Sequence, residues 1–202
     1  MPVEESIDRV SQLGQEFPQA LQDLMAVLGT EPAGMIIGGM AVIALGYPRV
    51  TTDIDATVHV ALEDLTGLLE QLRSHDIVPR VEDPIDFATS HHVLLMQHAP
   101  SGIPIDLTLA MLPFEEEALM HRQMVNFSGT TIAIPRVEDL IIYKMVASRP
   151  EDLRDVEELL LRYLDTLDRS RVQEVVAQFA ALLDRPQMVT QLHELFRLVE
   201  SS

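Results

Sequence analysis

Between residues 36 and 58 the chain reads IIGGMAVIALGYPRVTTDIDATV, a segment with the apolar pattern of a strand that nevertheless carries two aspartates, Asp53 and Asp55. Successive side chains of a strand alternate between faces, so Asp53 and Asp55 share one face with Thr51 and Thr57. Ile54, Ala56 and Val58 take the other face, toward the core. Two adjacent carboxylates repel each other, and neither ionises easily unless a positive charge sits between them. A bound divalent cation resolves the conflict.

The rest of the chain sets elements around that strand. Residues 5–28 space Ile7, Val10, Leu13, Phe17, Leu21, Leu24, Met25 and Leu28 as an amphipathic helix. The stretch GTEPAG reads as a turn, MIIGG as a short strand ending in two glycines, and MAVIALGY as a short helix. The strand VTTDIDATVHV follows, then the amphipathic helix ALEDLTGLLEQLRSH, which ends before Pro79. HHVLLMQHA and IPIDLTLA read as two strands joined at Pro100-Ser101-Gly102. The second turns Ile103, Ile105, Leu107 and Leu109 to one face and Asp106 and Thr108 to the other. FEEEALMHRQ is predicted helical, and MVNFSGTTIAIP is predicted to form a hairpin turning at Ser128-Gly129. From Val137 the pattern is helical to the end, broken at Pro150, where SRPEDLRDVEELLLRYL restarts with proline and acids in its first turn. The order predicts an α/β (α+β) fold: a mixed β-sheet core flanked by helices over residues 1–135, with a helical C-terminal part over 136–202.

Composition narrows the function classes. No apolar run reaches the roughly 18–20 residues of a membrane span, and MPVEESIDRV lacks the basic start and apolar run of a signal peptide. With no cysteine, thiolate-held metals and disulfides are excluded. These features lead to the expectation of a cytoplasmic protein. The net charge of −18 argues against a general grip on nucleic acid. The charge is uneven: residues 1–135 carry 5 basic and 19 acidic side chains, residues 136–202 carry 9 and 13, so a polyanion would find the C-terminal part or the loops near Arg49 and Arg122 the more receptive surface. Of the 14 basic residues only Lys144 is lysine, whose compact ammonium suits a point contact to phosphate.

Glycines between a strand and a helix let the backbone approach a ligand closely. Gly38-Gly39 occupies that position, Asp53 and Asp55 follow one helix later, and Asp106 stands on another strand of the same alternation. Three carboxylates from neighbouring strands suit one or two Mg²⁺ ions, which take oxygen ligands and accept phosphate oxygens at their remaining positions. Such an arrangement serves in-line phosphoryl or nucleotidyl transfer.

The stretch GGMAVIALGYPRVTTDIDATV resembles the signature of the nucleotidyltransferase fold, the DNA polymerase β-like superfamily. Its Arg49, Thr51, Asp53 and Asp55 are closest to the Arg-x-Thr-x-Asp-Ile-Asp form of AbiEii-type toxin-like nucleotidyltransferases. The later PRVEDLIIYKMVASRPEDLRDVEELL is similar to a second segment of that group, with Lys144 on a helix before Arg149, Asp152 and Asp155. The superfamily often has Gly-Ser where this chain has Gly38-Gly39, so the phosphate contact here must rest on backbone N–H groups. The resemblance spans roughly residues 30–165. It implies an NTP cradled at Gly38 and Gly39, and Mg²⁺ on Asp53, Asp55 and Asp106, with Asp106 also a base for the acceptor hydroxyl. It further implies Arg49 and Thr51 near the nucleotide, Lys144 against a phosphate or the base, and Asp155 orienting Lys144. The implied reaction moves an NMP from an NTP to an RNA (a tRNA among them) or protein acceptor, in a toxin with a cognate antitoxin or in an abortive-infection system.

A nucleotide- or partner-binding module on the same fold, without turnover, is the alternative. Modification of a small molecule, as by aminoglycoside nucleotidyltransferases, is a third reading; the acidic surface suits a cationic acceptor, although no extended aminoglycoside-binding domain is evident. His91, His92 and His98 do not read as a metal set, since His91 and His92 on a strand would face opposite ways. No HExxH, GxxxxGK[ST] or GxSxG motif is present.

Overall fold

The structure, a computed structural model, describes residues 17–29 and 33–201. Ile7, Val10 and Leu13 of the expected first helix lie outside the described residues; its continuation, α1 (17–28), buries Phe17, Leu21, Leu24, Met25 and Leu28. The chain divides into two compact units. One takes the described residues up to Met40 together with Val50–Ile134; the other takes Ala41–Arg49 together with the chain from Pro135 onward.

The first unit is built on a five-stranded mixed sheet of order β1-β2-β5-β4-β3, comprising β1 (Gly34–Ile36), β2 (Ile54–Val58), β3 (Ile77–Pro79), β4 (Val93–His98) and β5 (Pro104–Leu109). β2 and β5 run parallel at its centre, and every other pairing is antiparallel. Burial on β4 and β5 alternates strictly, with Leu94, Met96, Ile105, Leu107 and Leu109 inside, as the period of two requires. The connections carry α3 (Leu65–Ser74), α4 (Pro84–His91) and α5 (Pro113–Met120). A separate two-stranded ribbon pairs β6 (Gln123–Phe127) with β7 (Thr130–Ile134). It turns where the sequence pattern expects, at Ser128 and Gly129, whose φ values of 49° and 88° are those of a tight hairpin turn. α2 (Gly38–Ala44) follows β1 directly.

The second unit is helical: α6 (Val137–Ala147), α7 (Pro150–Tyr163), α8 (Arg169–Leu182) and α9 (Gln187–Glu200). α6 is its interior element and packs against α7, α8 and α9. Leu140, Ile141, Ile142 and Met145 are all fully buried, so its apolar surface runs nearly all round. α7 and α9 each bury one stripe, Val156, Leu159 and Leu160 on the former and Met188, Leu192 and Phe196 on the latter.

Three local readings are corrected. The strand at VTTDIDATVHV is shorter than its pattern and begins at Ile54, leaving Asp53 in a bend. Its partner β5 starts at Pro104, which has no N–H to give, and the Thr51 hydroxyl donates locally to the Asp53 carbonyl at 3.3 Å. His91 and His92 are not on a strand. His91 ends α4, where it stacks on Phe87 with ring centroids 4.2 Å apart, and His92 terminates the helix in the left-handed region at φ 56°. Finally, β3 and α4 had no counterpart in the sequence reading: β3 is three residues long with a terminal proline, and α4 starts on Pro84.

Candidate active site

In the first unit the parallel ladder sets Asp55 directly opposite Asp106. Residues in register on adjacent strands put their side chains on the same face, so the two carboxylates are nearest neighbours across the strands. Thr57 and Thr108 repeat the pairing one step further along. Asp55 is half-buried, and the Asp106 side chain is 40% exposed. The bend after β1 closes on the same place. Ile37 N–H donates to the Asp55 carbonyl at 2.8 Å. Gly38 follows at φ +61°, and a Cβ placed there would stand 2.0 Å from Asp55 Oδ2 and 2.7 Å from its Cγ. Both the backbone angle and the space therefore require glycine. Gly39 is the second residue of α2. Asp53 lies one residue before β2, with the Thr51 hydroxyl 3.1 Å from its Oδ1 and 3.3 Å from its carbonyl oxygen.

Asp106 has a partner that the sequence reading missed. Arg80, immediately after β3, donates its backbone N–H to Leu95 O at 2.9 Å and its Nε–H to Met96 O at 2.8 Å. Its Nη2 forms an ion pair with Asp106 Oδ1. Arg80 is one of only five basic residues in 1–135, and that scarcity in so acidic a stretch was the available signal.

The paired carboxylates of Asp55 and Asp106, beside a bend that only glycine can occupy, are oxygen donors of the kind a hard cation such as Mg²⁺ takes. Among the described residues, no three acidic or histidine side chains stand close enough as placed to hold an ion. Asp106 is engaged by Arg80 and Asp53 by Thr51. A cavity of about 440 Å³ opens beyond the other end of β2, lined by His59, Glu63, Asp64 and Gln71. It begins four residues past Asp55, roughly 13 Å along the strand. The carboxylate register and the glycine contact, not this cavity, define the candidate site.

The second unit holds the remaining expected residues in a buried ionic cluster. Lys144 on α6 is 4% exposed, with Nζ 2.9 Å from Asp152 Oδ1 and 2.8 Å from Asp155 Oδ2, both on α7. Arg49 Nη1 pairs with Asp155 Oδ2, and its side chain is 24% exposed. Asp152 also caps α7: it accepts the Arg149 backbone N–H at 3.2 Å and the Arg149 Nε–H at 2.7 Å. Burial works against ionisation of Asp152, but hydrogen bonds and charge from Arg149 and Lys144 outweigh it and hold its carboxyl below the usual range. A second cluster went unread in the sequence. Asp139, fully buried on α6, accepts from Arg136 Nε and from Arg171 Nη2, each at 2.8 Å, and so ties α6 to α8. In the first unit His98 bridges Ser101 Oγ at 2.7 Å and Asp23 Oδ2 at 3.1 Å, and so stitches the β4–β5 turn to α1.

The mixed sheet, the glycine bend and the paired strand carboxylates define a protein of the nucleotidyltransferase fold. The chain belongs to the family described as nucleotidyltransferase of unknown function (DUF6036), whose model matches residues 15–194. No curated protein matches it in sequence. Among solved structures it is similar to the solution structure of the antibiotic-resistance factor ANT(2'')-Ia, at 16% identity and TM-score 0.58, covering 90% of this chain and 98% of that one. The crystal structure of ANT(2'')-Ia in complex with adenylyl-2''-tobramycin matches at 16% identity and TM-score 0.54, covering 80% and 95%. A putative nucleotidyltransferase from H. pylori matches at 14% identity and TM-score 0.51, covering 99% and 98%. At these identities the likeness is one of fold. No helix among the described residues is long and apolar enough to cross a membrane.

Proposed function

We propose that this chain is a Mg²⁺-dependent nucleotidyltransferase that moves an NMP from an NTP to a hydroxyl of an RNA or protein acceptor, as an AbiEii-like toxin of a toxin–antitoxin or abortive-infection system acting in the cytoplasm. The observation that carries the reading is the Asp55–Asp106 register beside Gly38, whose missing Cβ leaves room at the Asp55 carboxylate. Asp53, Asp55 and Asp106 would hold Mg²⁺, one ion or two. When bound, Mg²⁺ supplies charge neutralisation for the leaving pyrophosphate and activation of the acceptor oxygen. Gly38 and Gly39 bring the backbone against the triphosphate, Thr51 fixes Asp53, and Asp106 accepts the proton of the acceptor hydroxyl. Arg49 is more exposed than Lys144 or Asp155, and so is the one of these three that would meet a phosphate with least disturbance of buried pairs. Asp155 holds it in place and pairs with Lys144 at the same oxygen.

Release of pyrophosphate from an NTP in the presence of Mg²⁺ and total RNA or lysate tests this reading. Wild type is expected to release it and Asp53→Ala to lose the release; equal behaviour of the two overturns the catalytic reading. The second reading, a binding module without turnover, is favoured by one observation: Arg80 occupies Asp106. Calorimetry showing tight NTP binding with no pyrophosphate release would select it. Because the fold is shared with a protein whose structure holds adenylyl-2''-tobramycin, and because the chain carries a net charge of −18, a cationic aminoglycoside belongs among the acceptors assayed. A small neighbouring reading frame with a DNA-binding pattern would support the toxin–antitoxin assignment.

A further inference from the structure

We propose that Arg80 is a built-in competitor of the cation at Asp106: it neutralises that carboxylate while the site is empty, is displaced when a divalent cation loads, and thereby sets the concentration at which loading occurs. The proposal rests on the metal-dependent reading above and concerns a residue that reading does not use. Arg80 is held by two main-chain anchors on β4, its N–H on Leu95 O at 2.9 Å and its Nε–H on Met96 O at 2.8 Å. Leu95 is itself the register partner of Asp106. The guanidinium therefore extends across β4 from the sheet edge, and its Nη2 meets Asp106 Oδ1. The Oδ1 lone pair that accepts from the guanidinium is not available to an ion, and two positive groups at one carboxylate repel each other, so each weakens the hold of Asp106 on the other.

The physical need for such a partner comes from the ladder. Asp55 and Asp106 face each other in register, and without a cation their charges repel. A side chain that supplies the missing charge relieves that repulsion, and one that is easily displaced leaves the site loadable. The pair meets the second condition. Arg80 and Asp106 are 32% and 40% exposed, and ion pairs so open to water are worth only about 0.2–1 kcal/mol. That range corresponds to a competitor raising the apparent dissociation constant of the cation by up to roughly fivefold.

Titration of the full chain with Mn²⁺ alone, read by electron paramagnetic resonance of the free ion, tests the proposal. Arg80→Gln is expected to bind Mn²⁺ about two- to fivefold more tightly than wild type. Arg80→Lys, which keeps the charge, is expected to stay near wild type, and Asp106→Asn to remove the difference between Gln and Arg at position 80. A thermal melt of each variant establishes that it is folded, and Arg80→Met, which keeps the apolar stem without the charge and is expected to tighten Mn²⁺ binding likewise, carries the comparison if Arg80→Gln is not. Mn²⁺ binding that is lost in Asp55→Asn but unchanged in Arg80→Gln overturns the role of Arg80 and leaves the metal reading intact. No Mn²⁺ bound by wild type or by Arg80→Gln overturns both.

Discussion

A Cβ on Gly38 would stand 2.0 Å from Asp55 Oδ2, so the first residue of α2 and the second residue of β2 are spaced for glycine and nothing larger. Gly38→Ala is expected to destabilise the first unit by about 1–2 kcal/mol through its left-handed backbone alone, and to displace the Asp55 carboxylate besides. Thermal unfolding should show the lower midpoint, and Mn²⁺ titration should show weakened binding in the protein that remains folded. An unchanged midpoint with unchanged binding would contradict the contact.

Lys144 is expected to be worth more to stability than any exposed cation of the chain. Lys144→Met removes the ammonium from between Asp152 and Asp155, which are 0% and 3% exposed. Stranding buried carboxylates costs about 3–5 kcal/mol. The lower end is expected here, because Arg149 still serves Asp152 and Arg49 still serves Asp155. Urea denaturation followed by far-UV circular dichroism reads the loss directly, since the chain has no tryptophan.

Acid should weaken the helical unit through Asp152. Its carboxyl is held below the ordinary aspartate range in the folded state, where the hydrogen bonds and charges of Arg149 and Lys144 outweigh its burial. The unfolded chain therefore takes up the proton first, and stability is complete above that range and lost as pH falls through the lower folded value. The urea midpoint is expected to hold steady from neutrality down to about pH 5 and to drop below about pH 4. Asp152→Asn should be less stable at neutrality and show a shallower drop.

Thr57 offers a stabilising change. It is fully buried on β2, and its hydroxyl has no hydrogen-bond partner among the described residues. Valine keeps the shape and removes the unsatisfied group, so Thr57→Val is expected to raise stability by up to about 1 kcal/mol. A loss of stability in the same urea experiment would show that the hydroxyl is satisfied.

Period-two alternation was enough to place β4 and β5, and with them Asp106 on the face of Asp55, because strands buried on one face must alternate. The Ser128-Gly129 turn was equally readable, since only a few residue types accept positive φ at both central positions. The start of β2 was not, because nothing in VTTDIDATV announces that its partner strand begins on a proline. β3 was too short to leave a periodic signal, and Arg80 went unread with it, because its meaning depends on a partner 26 residues away. Lys144 stood out as the lone lysine, but burial between two aspartates is a tertiary fact that its spacing alone does not carry. The grouping of Ala41–Arg49 with the chain from Pro135 onward likewise joins residues some ninety positions apart.

Transfer of label from an α-labelled NTP to total RNA or lysate protein, with Mg²⁺ and with wild type or Asp55→Ala, is the most direct test of the central claim. Labelled acceptor is expected with wild type and none with Asp55→Ala, although both proteins are folded. Equal labelling by the two, or no labelling of RNA, protein or aminoglycoside by wild type, would contradict it.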